Sequence, residues 1–264
     1  MKKAIIILLV IVAACFLCAN LNYIMSISGA LIPLVIACII MVARHVVQAM
    51  SYNEAFGAVG QKTGLWHNIV LIFSLVFINT FCLFSGATGV AFIIDDAHRK
   101  GLDIGTSTSG AILSQIGYFA AVFIISIIGF TTMLIAGTMN VVFLIGGLLL
   151  AGTLLVLVSF FLLGFYKPGW LVKVFRVVEN AINKVIGIAK RHLPKNWGKA
   201  TAQSFINSAL VLAHNPKGAI ITVFYAAASA LLNMACLIAI GVAFGFDDVA
   251  ALVAAFSVAA IAVI

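Results

Sequence analysis

Long apolar runs separated by short polar breaks make up most of this chain. Apolar residues fill positions 4–19, 24–42, 68–94, 108–136 and 139–164, and again 218–244 and 249–264. A helix needs ~20 apolar residues to cross the hydrocarbon core of a bilayer. These runs therefore predict membrane helices, and the pattern predicts an all-α polytopic fold. Asn20, Asn22 and Tyr23 form the first polar link, and Arg44, His45 and Gln48 mark the interface after the second run. Residues 51–67 read as a polar connection, with Trp66 suited to the headgroup level. The first run follows Lys2 and Lys3 and reads as a membrane helix in preference to a signal peptide, because further spans come directly after it.

The run at 68–94 departs from the rule. It has 27 residues, is interrupted at Ser85-Gly86-Ala87-Thr88-Gly89, and ends in a patch holding Asp95, Asp96, His98, Arg99, Lys100 and Asp103. A backbone break at membrane depth is tolerated only where it lines a cavity or is covered by protein. The expectation is a broken, re-entrant segment near 68–94, followed by a charged loop at 95–105.

A second departure lies at 167–200. Leu171, Val174, Phe175, Val178, Ile182, Val185, Ile186 and Ala189 recur at helical spacing, with Lys173, Arg176, Lys184, Lys190 and Arg191 on the opposite face. That pattern predicts a basic amphipathic helix near 170–193, lying in the membrane surface and closed by Pro194 and Gly198. A shorter amphipathic piece at 200–213 follows.

Composition agrees with the pattern. Of 264 residues, 64% are hydrophobic and 8% charged, with mean hydropathy +1.26, whereas soluble domains carry roughly 25% charged residues. The net charge of +8 is concentrated, since eight basic residues fall between Lys167 and Lys199. This is the signature of a cytoplasmic segment and of attraction to anionic lipid. No recognition motif accompanies the charge, so nucleic acid is not an expected partner. The five cysteines, Cys15, Cys18, Cys38, Cys82 and Cys236, all lie in apolar runs and read as packing residues. No metal site and no cofactor is expected, and no nucleophile–base pair or phosphate loop appears, so the chain carries no catalytic constellation of its own.

Charge also bears on topology. Lys2 and Lys3 place the N-terminus in the cytoplasm, and so does the 167–199 cluster for its own segment, which requires an even number of crossings between them. Five apolar runs intervene. A hairpin at 68–94 restores parity. The chain reads as one transmembrane domain, with N-terminal helices at 1–165, a basic connector at 166–215 and C-terminal helices from 216. It stops inside an apolar run, which reads as an incomplete domain.

In combination these features resemble the transmembrane domain of bacterial lysylphosphatidylglycerol synthases and the flippase-like membrane proteins built from that domain alone. The resemblance covers 51–128 and 166–264. It rests on Phe77-Ile78-Asn79-Thr80-Phe81, the break Ser85 to Phe92, the charged patch ending at Lys100-Gly101, the helix from Thr106 and the basic connector. The family often has Pro-Gly at the break and an acid after the second glycine, where this chain has Ser85-Gly86 and Gly89-Val90. The resemblance implies a bacterial plasma-membrane protein that binds or moves phospholipids between leaflets, aminoacylated phosphatidylglycerol among them. It also implies a soluble aminoacyltransferase, separately encoded, as a partner. The alternative is the membrane part of a phosphatidylglycerol lysyltransferase, and a small-solute secondary transporter is a further one.

The candidate site residues follow. Asp95 and Asp96 offer carboxylates to a cationic headgroup, or else pair with Arg99 and Lys100 as ordinary surface charges. Arg99, Lys100 and Arg44 are candidates for a lipid phosphate, Arg44 reading as a snorkelling residue near the end of its helix. Asn79, Ser85, Gly86, Thr88 and Gly89 are candidates for a polar path through the break. Lys173, Arg176, Lys184, Lys190 and Arg191 are candidates for an anionic-lipid surface.

Overall fold

The structure is a computed structural model and describes residues 31–60, 62–81, 85–186, 193–194, 196–246 and 248–262. All regular structure among them is helical: α1 Leu31–Ala58, α2 Leu65–Phe81, α3 Ser85–Arg99, α4 Ile104–Ile135, α5 Val141–Tyr166, α6 Pro168–Ile186, α7 Trp197–His214, α8 Pro216–Ala243 and α9 Val249–Ala262. Among the described residues α1, α4, α5 and α8 are long and apolar enough to cross a membrane. A helix satisfies its own backbone, which is why apolar runs in a solvent without hydrogen bonds take this form. The chain thus has the build of a multi-pass helical membrane protein. The apolar run at 4–19 lies outside the described residues.

Three boundaries differ from expectation. The second span does not end at Val42, because α1 continues through Arg44, Gln48 and Ser51 to Ala58. Of the polar residues that looked like an interface, His45 lies on a buried stripe with Ala49, Tyr52 and Phe56 at helical spacing, and half-buried Gln48 hydrogen-bonds to Ser114 and Ser229. The charged patch after Ile94 is not a loop but the last turns of α3. Asp95 and Arg99 pair one turn apart at 2.8 Å, and His98 and Arg99 complement the negative end of the helix dipole. The helix stops at Gly101, whose φ of +98° suits a residue without Cβ. Gly198 does not close the amphipathic helix either. It is the second residue of α7, where the chain passes against the backbone of Phe175.

The α2 and α3 arms form a hairpin. His67 Nε2 lies 2.7 Å from Asp96 Oδ2, and Lys100 Nζ donates to the Thr63 carbonyl at 3.1 Å. Both contacts join the start of α2 to the end of α3, so the arms run antiparallel and open at one end of the molecule. Leu71 and Ile72 of α2 and Ile93 and Ala97 of α3 pack into one core with Tyr52, Phe56 and Ala111.

The α4 helix stands at the centre, with glycines where neighbours come close. Gly105 meets the backbone of α7, Gly110 meets Phe56 of α1, Gly117 meets Val223 and Ala226 of α8, and Gly129 meets α9. Small residues let membrane helices approach in this way. On α5, Gly147 faces Phe130 of α4, whereas Gly152 faces open space.

The α1 and α8 helices pair antiparallel in a seven-residue register. Cys236 Sγ contacts the Ala37 carbonyl at 3.5 Å, Ser229 Oγ the Arg44 carbonyl at 3.4 Å, and Ser51 Oγ the Thr222 carbonyl at 3.0 Å.

At the end where α1 stops and α8 starts, α6 and α7 form a cap. Phe205 of α7 is fully buried beneath Phe161, Phe160 and Phe175, with ring centroids 5.3, 6.3 and 6.1 Å away. Lys173, Arg176 and Lys184 stay exposed on α6. Lys62, Arg99, Lys100, Lys167, Lys199 and Lys217 belong to the same end of the bundle. The opposite end has the α4–α5 and α8–α9 turns, without a single Lys or Arg. There Asn140 and Asp248 cap α5 and α9 through their side chains.

Candidate functional site

Polar side chains from α1, α4 and α8 meet inside the bundle. Ser229 Oγ donates to Gln48 Oε1 at 2.8 Å. Gln48 Nε2 donates to Ser114 Oγ at 3.4 Å. The Ser51 and Ser114 hydroxyls are 2.8 Å apart. Because Ser51 gives its own hydrogen to the Thr222 carbonyl at 3.0 Å, Ser114 is the donor between them. The four side chains thus form one directed chain of hydrogen bonds across three helices, and such chains reinforce one another at low dielectric. Beside it Gln115 Nε2 donates to Tyr52 Oη at 2.8 Å, and Asn233 Nδ2 to Tyr118 Oη at 3.4 Å.

Arg44 occupies the deep end of this seam. It lies ten residues before Glu54, about 15 Å along a helix rising 1.5 Å per residue, and opposite Ser229, halfway along α8. That depth corrects the expectation of an arginine near a helix end, because the side chain is far shorter than the distance to either end of α1. Its Nη1 donates to His45 Nε2 at 3.3 Å. His45 Nδ1 donates to the Met41 carbonyl at 2.7 Å, so both ring nitrogens are used by a neutral imidazole. The His45 ring stacks on Phe73 of α2, with centroids 5.4 Å apart, which brings the hairpin against this part of α1. Arg44 Nε is buried and has no hydrogen-bond partner. Among the described residues no carboxylate pairs with the guanidinium.

No family model, curated protein or solved structure matches this chain.

The other expected site residues lie at the basic end. Asp95 and Arg99 pair with each other and are exposed, at 53% for Asp95 and 77% for Arg99. Asp96 is engaged by His67 across the hairpin, and Lys100 by the Thr63 backbone. The two acids therefore serve different partners and do not converge on one point. Thr63, Asn68 and Asn53 continue this foot as a hydrogen-bonded row. Gly89 is buried in α3. Asn79, Ser85, Gly86 and Thr88 belong to α2 and α3, but their side chains lie outside the described residues. Lys190 and Arg191 lie outside them altogether. Lys173 sits over the Trp170 ring at 5.1 Å, an arrangement suited to a headgroup-level helix.

Sequence reasoning missed His45, Gln48, Ser51, Tyr52, Ser114, Thr222 and Ser229. A signal was present: positions 44/45, 48 and 51/52 keep helical spacing beyond the apolar run. Small residues likewise recur every seven positions at 222, 229 and 236 on α8, and two heptads apart at 37 and 51 on α1, with Arg44 between them.

Proposed function

We propose that this is an integral membrane protein that handles lipids, binding a phospholipid and carrying its headgroup between leaflets. The observation behind this reading is the hydrogen-bonded seam of Ser229, Gln48, Ser114 and Ser51, which leads from mid-bundle toward the basic end. A headgroup needs polar partners along its way while its acyl chains remain in the bilayer, and the α1–α4–α8 seam supplies them. Polar residues at this depth are costly and mark substrate pathways.

The basic end faces the cytoplasm in this reading, by the positive-inside bias. The hairpin then enters and leaves on that side. Its arms have 17 and 15 residues, roughly 26 and 23 Å at helical rise, short of the ~30 Å hydrocarbon thickness. A re-entrant α2–α3 segment and a cytoplasmic N-terminus follow from the same argument. Membership of the lysylphosphatidylglycerol synthase transmembrane family belongs to the proposal too, with aminoacylated phosphatidylglycerol as a substrate and a separate aminoacyltransferase as a partner. The order of hairpin, charged turn, central helix and basic cap supports it.

The test is a headgroup-flip assay. The purified chain is reconstituted in vesicles holding a trace of fluorescent-headgroup phosphatidylglycerol, and an impermeant quencher reports lipid reaching the outer leaflet. Protein is expected to raise the quenched fraction above the outer-leaflet half, and Gln48→Leu to slow the approach. Failure to accelerate flipping of phosphatidylglycerol, its lysyl ester or phosphatidylethanolamine would sink the reading.

A further inference from the structure

We propose that Arg44 forms an anion site at mid-membrane depth, and that the group it holds is the phosphate of an anionic phospholipid. This rests on the lipid-handling reading and names the substrate charge for the same seam. An arginine placed ten residues from the nearest acid on its helix carries a charge that must be compensated, because an unpaired cation in the bilayer centre is costly.

Among the described residues nothing compensates it. The chain's seven acids are Glu54, Asp95, Asp96, Asp103, Glu179, Asp247 and Asp248. Glu54 lies toward the basic end, beside Lys62 at 4.0 Å. Asp95, Asp96, Asp103 and Glu179 belong to that end as well, and Asp248 to the opposite turn, while Asp247 lies outside the described residues. His45 cannot serve, since its Nδ1 is committed to Met41 and its Nε2 accepts from Arg44 itself. The guanidinium has five N–H donors, of which one has an acceptor at 3.3 Å, while Nε is buried with none. An Nε–Nη edge in that condition is a fork fitted to two oxygens of one phosphate.

The surroundings suit a lipid source. Met41 and Val42, on the turn before Arg44, are exposed on the outer surface of the bundle, as is Phe73 of the neighbouring hairpin arm. The guanidinium is therefore beside His45 and the exposed surface of the hairpin arm, while the Arg44 backbone carbonyl faces Ser229 of the seam. A phosphodiester can enter sideways with its tails still in the bilayer. A cationic headgroup alone finds no carboxylate here.

The experiment uses the full chain in phosphatidylcholine nanodiscs with spin-labelled phosphatidylglycerol or spin-labelled phosphatidylcholine as probes. Wild type is expected to immobilise the anionic lipid about tenfold more strongly, the size of one charge-assisted contact. Arg44→Gln removes the preference, and Arg44→Lys keeps part of it, since charge remains without the fork. Adding glycerol phosphate at millimolar concentration separates the sources. No displacement supports the lipid headgroup, and displacement of the bound probe overturns the lipid in favour of a soluble phosphate. Equal immobilisation of both lipids by wild type, or an unchanged preference in a folded Arg44→Gln, overturns the site. If Arg44→Gln does not fold, wild type decides: a headgroup-diazirine phosphatidylglycerol must label residues 41–48, and labelling confined to other segments overturns the proposal. Flipping without anionic preference would remove this inference and leave the lipid-handling reading. Anionic preference without flipping would do the reverse.

Discussion

Ser229 on α8 donates to Gln48 on α1 at 2.8 Å, although 181 positions separate them in the chain. The same hydroxyl lies 3.4 Å from the Arg44 carbonyl, so a single serine fixes the register of the two helices at the level of Arg44. Ser51 and Thr222 repeat the contact one heptad nearer the basic end.

That register makes Ser51 and Ser114 a coupled pair. Ser51→Ala leaves the Thr222 carbonyl and the Ser114 hydroxyl each short of a partner. Each single alanine variant is expected to lower stability by about 1 kcal/mol, with a coupling near 0.6 kcal/mol in the double variant. Reversible unfolding in mixed micelles measures all three, and strict additivity would show that the two hydroxyls act independently.

Gly117 decides how near α4 and α8 can come. A Cβ there would stand 2.8 Å from the Ala226 Cβ and from the Val223 Cα. Gly117→Leu is expected to wedge the helices apart at a cost of roughly 1–3 kcal/mol, lowering the melting temperature in detergent. Gly152→Ala, with nothing within 4 Å, is the matched control and should melt with wild type.

Phe205 holds the basic cap to the bundle. It is fully buried among Phe160, Phe161 and Phe175. Phe205→Ala is expected to cost about 3–5 kcal/mol and to release α6, seen as faster proteolysis between Pro168 and Ile186. An unchanged digestion rate would place the strength of the cap elsewhere.

The foot of the hairpin rests on His67 and Asp96. This pair is partly exposed, so its loss should cost no more than about 1 kcal/mol and act locally. Asp96→Asn is expected to speed amide exchange at 63–68 and 96–102 while leaving α4 and α8 protected. Asp95→Asn, whose partner Arg99 is on the same exposed turn, should leave exchange at 63–68 as in wild type.

The distribution of charge predicts the topology. In a variant without native cysteines, Thr138→Cys at the bare end should react with an impermeant maleimide from outside intact cells. Lys100→Cys at the hairpin foot should react only after permeabilisation. Labelling of Lys100→Cys from outside would reverse the orientation and remove the re-entrant reading of α2 and α3.

By itself the sequence determined that this is an all-helical chain with apolar helices long enough to cross a membrane. Each of these is a local property: a helix closes its own hydrogen bonds, and apolar length decides whether it can span. Leu171 and Phe175 could be assigned to a buried face from spacing alone. The tertiary structure alone decided the seam. Arg44 looks like the end of a helix until Ser51 and Tyr52 are seen to be buried, because a polar residue continues a membrane helix only if another helix satisfies it. Those partners, Ser114, Thr222 and Ser229, lie 63 to 185 positions away. Asp95 and Asp96 were similarly adjacent in sequence yet went to different partners, since successive residues on a helix point about 100° apart and only the packing of α2 against α3 could bring His67 to one of them.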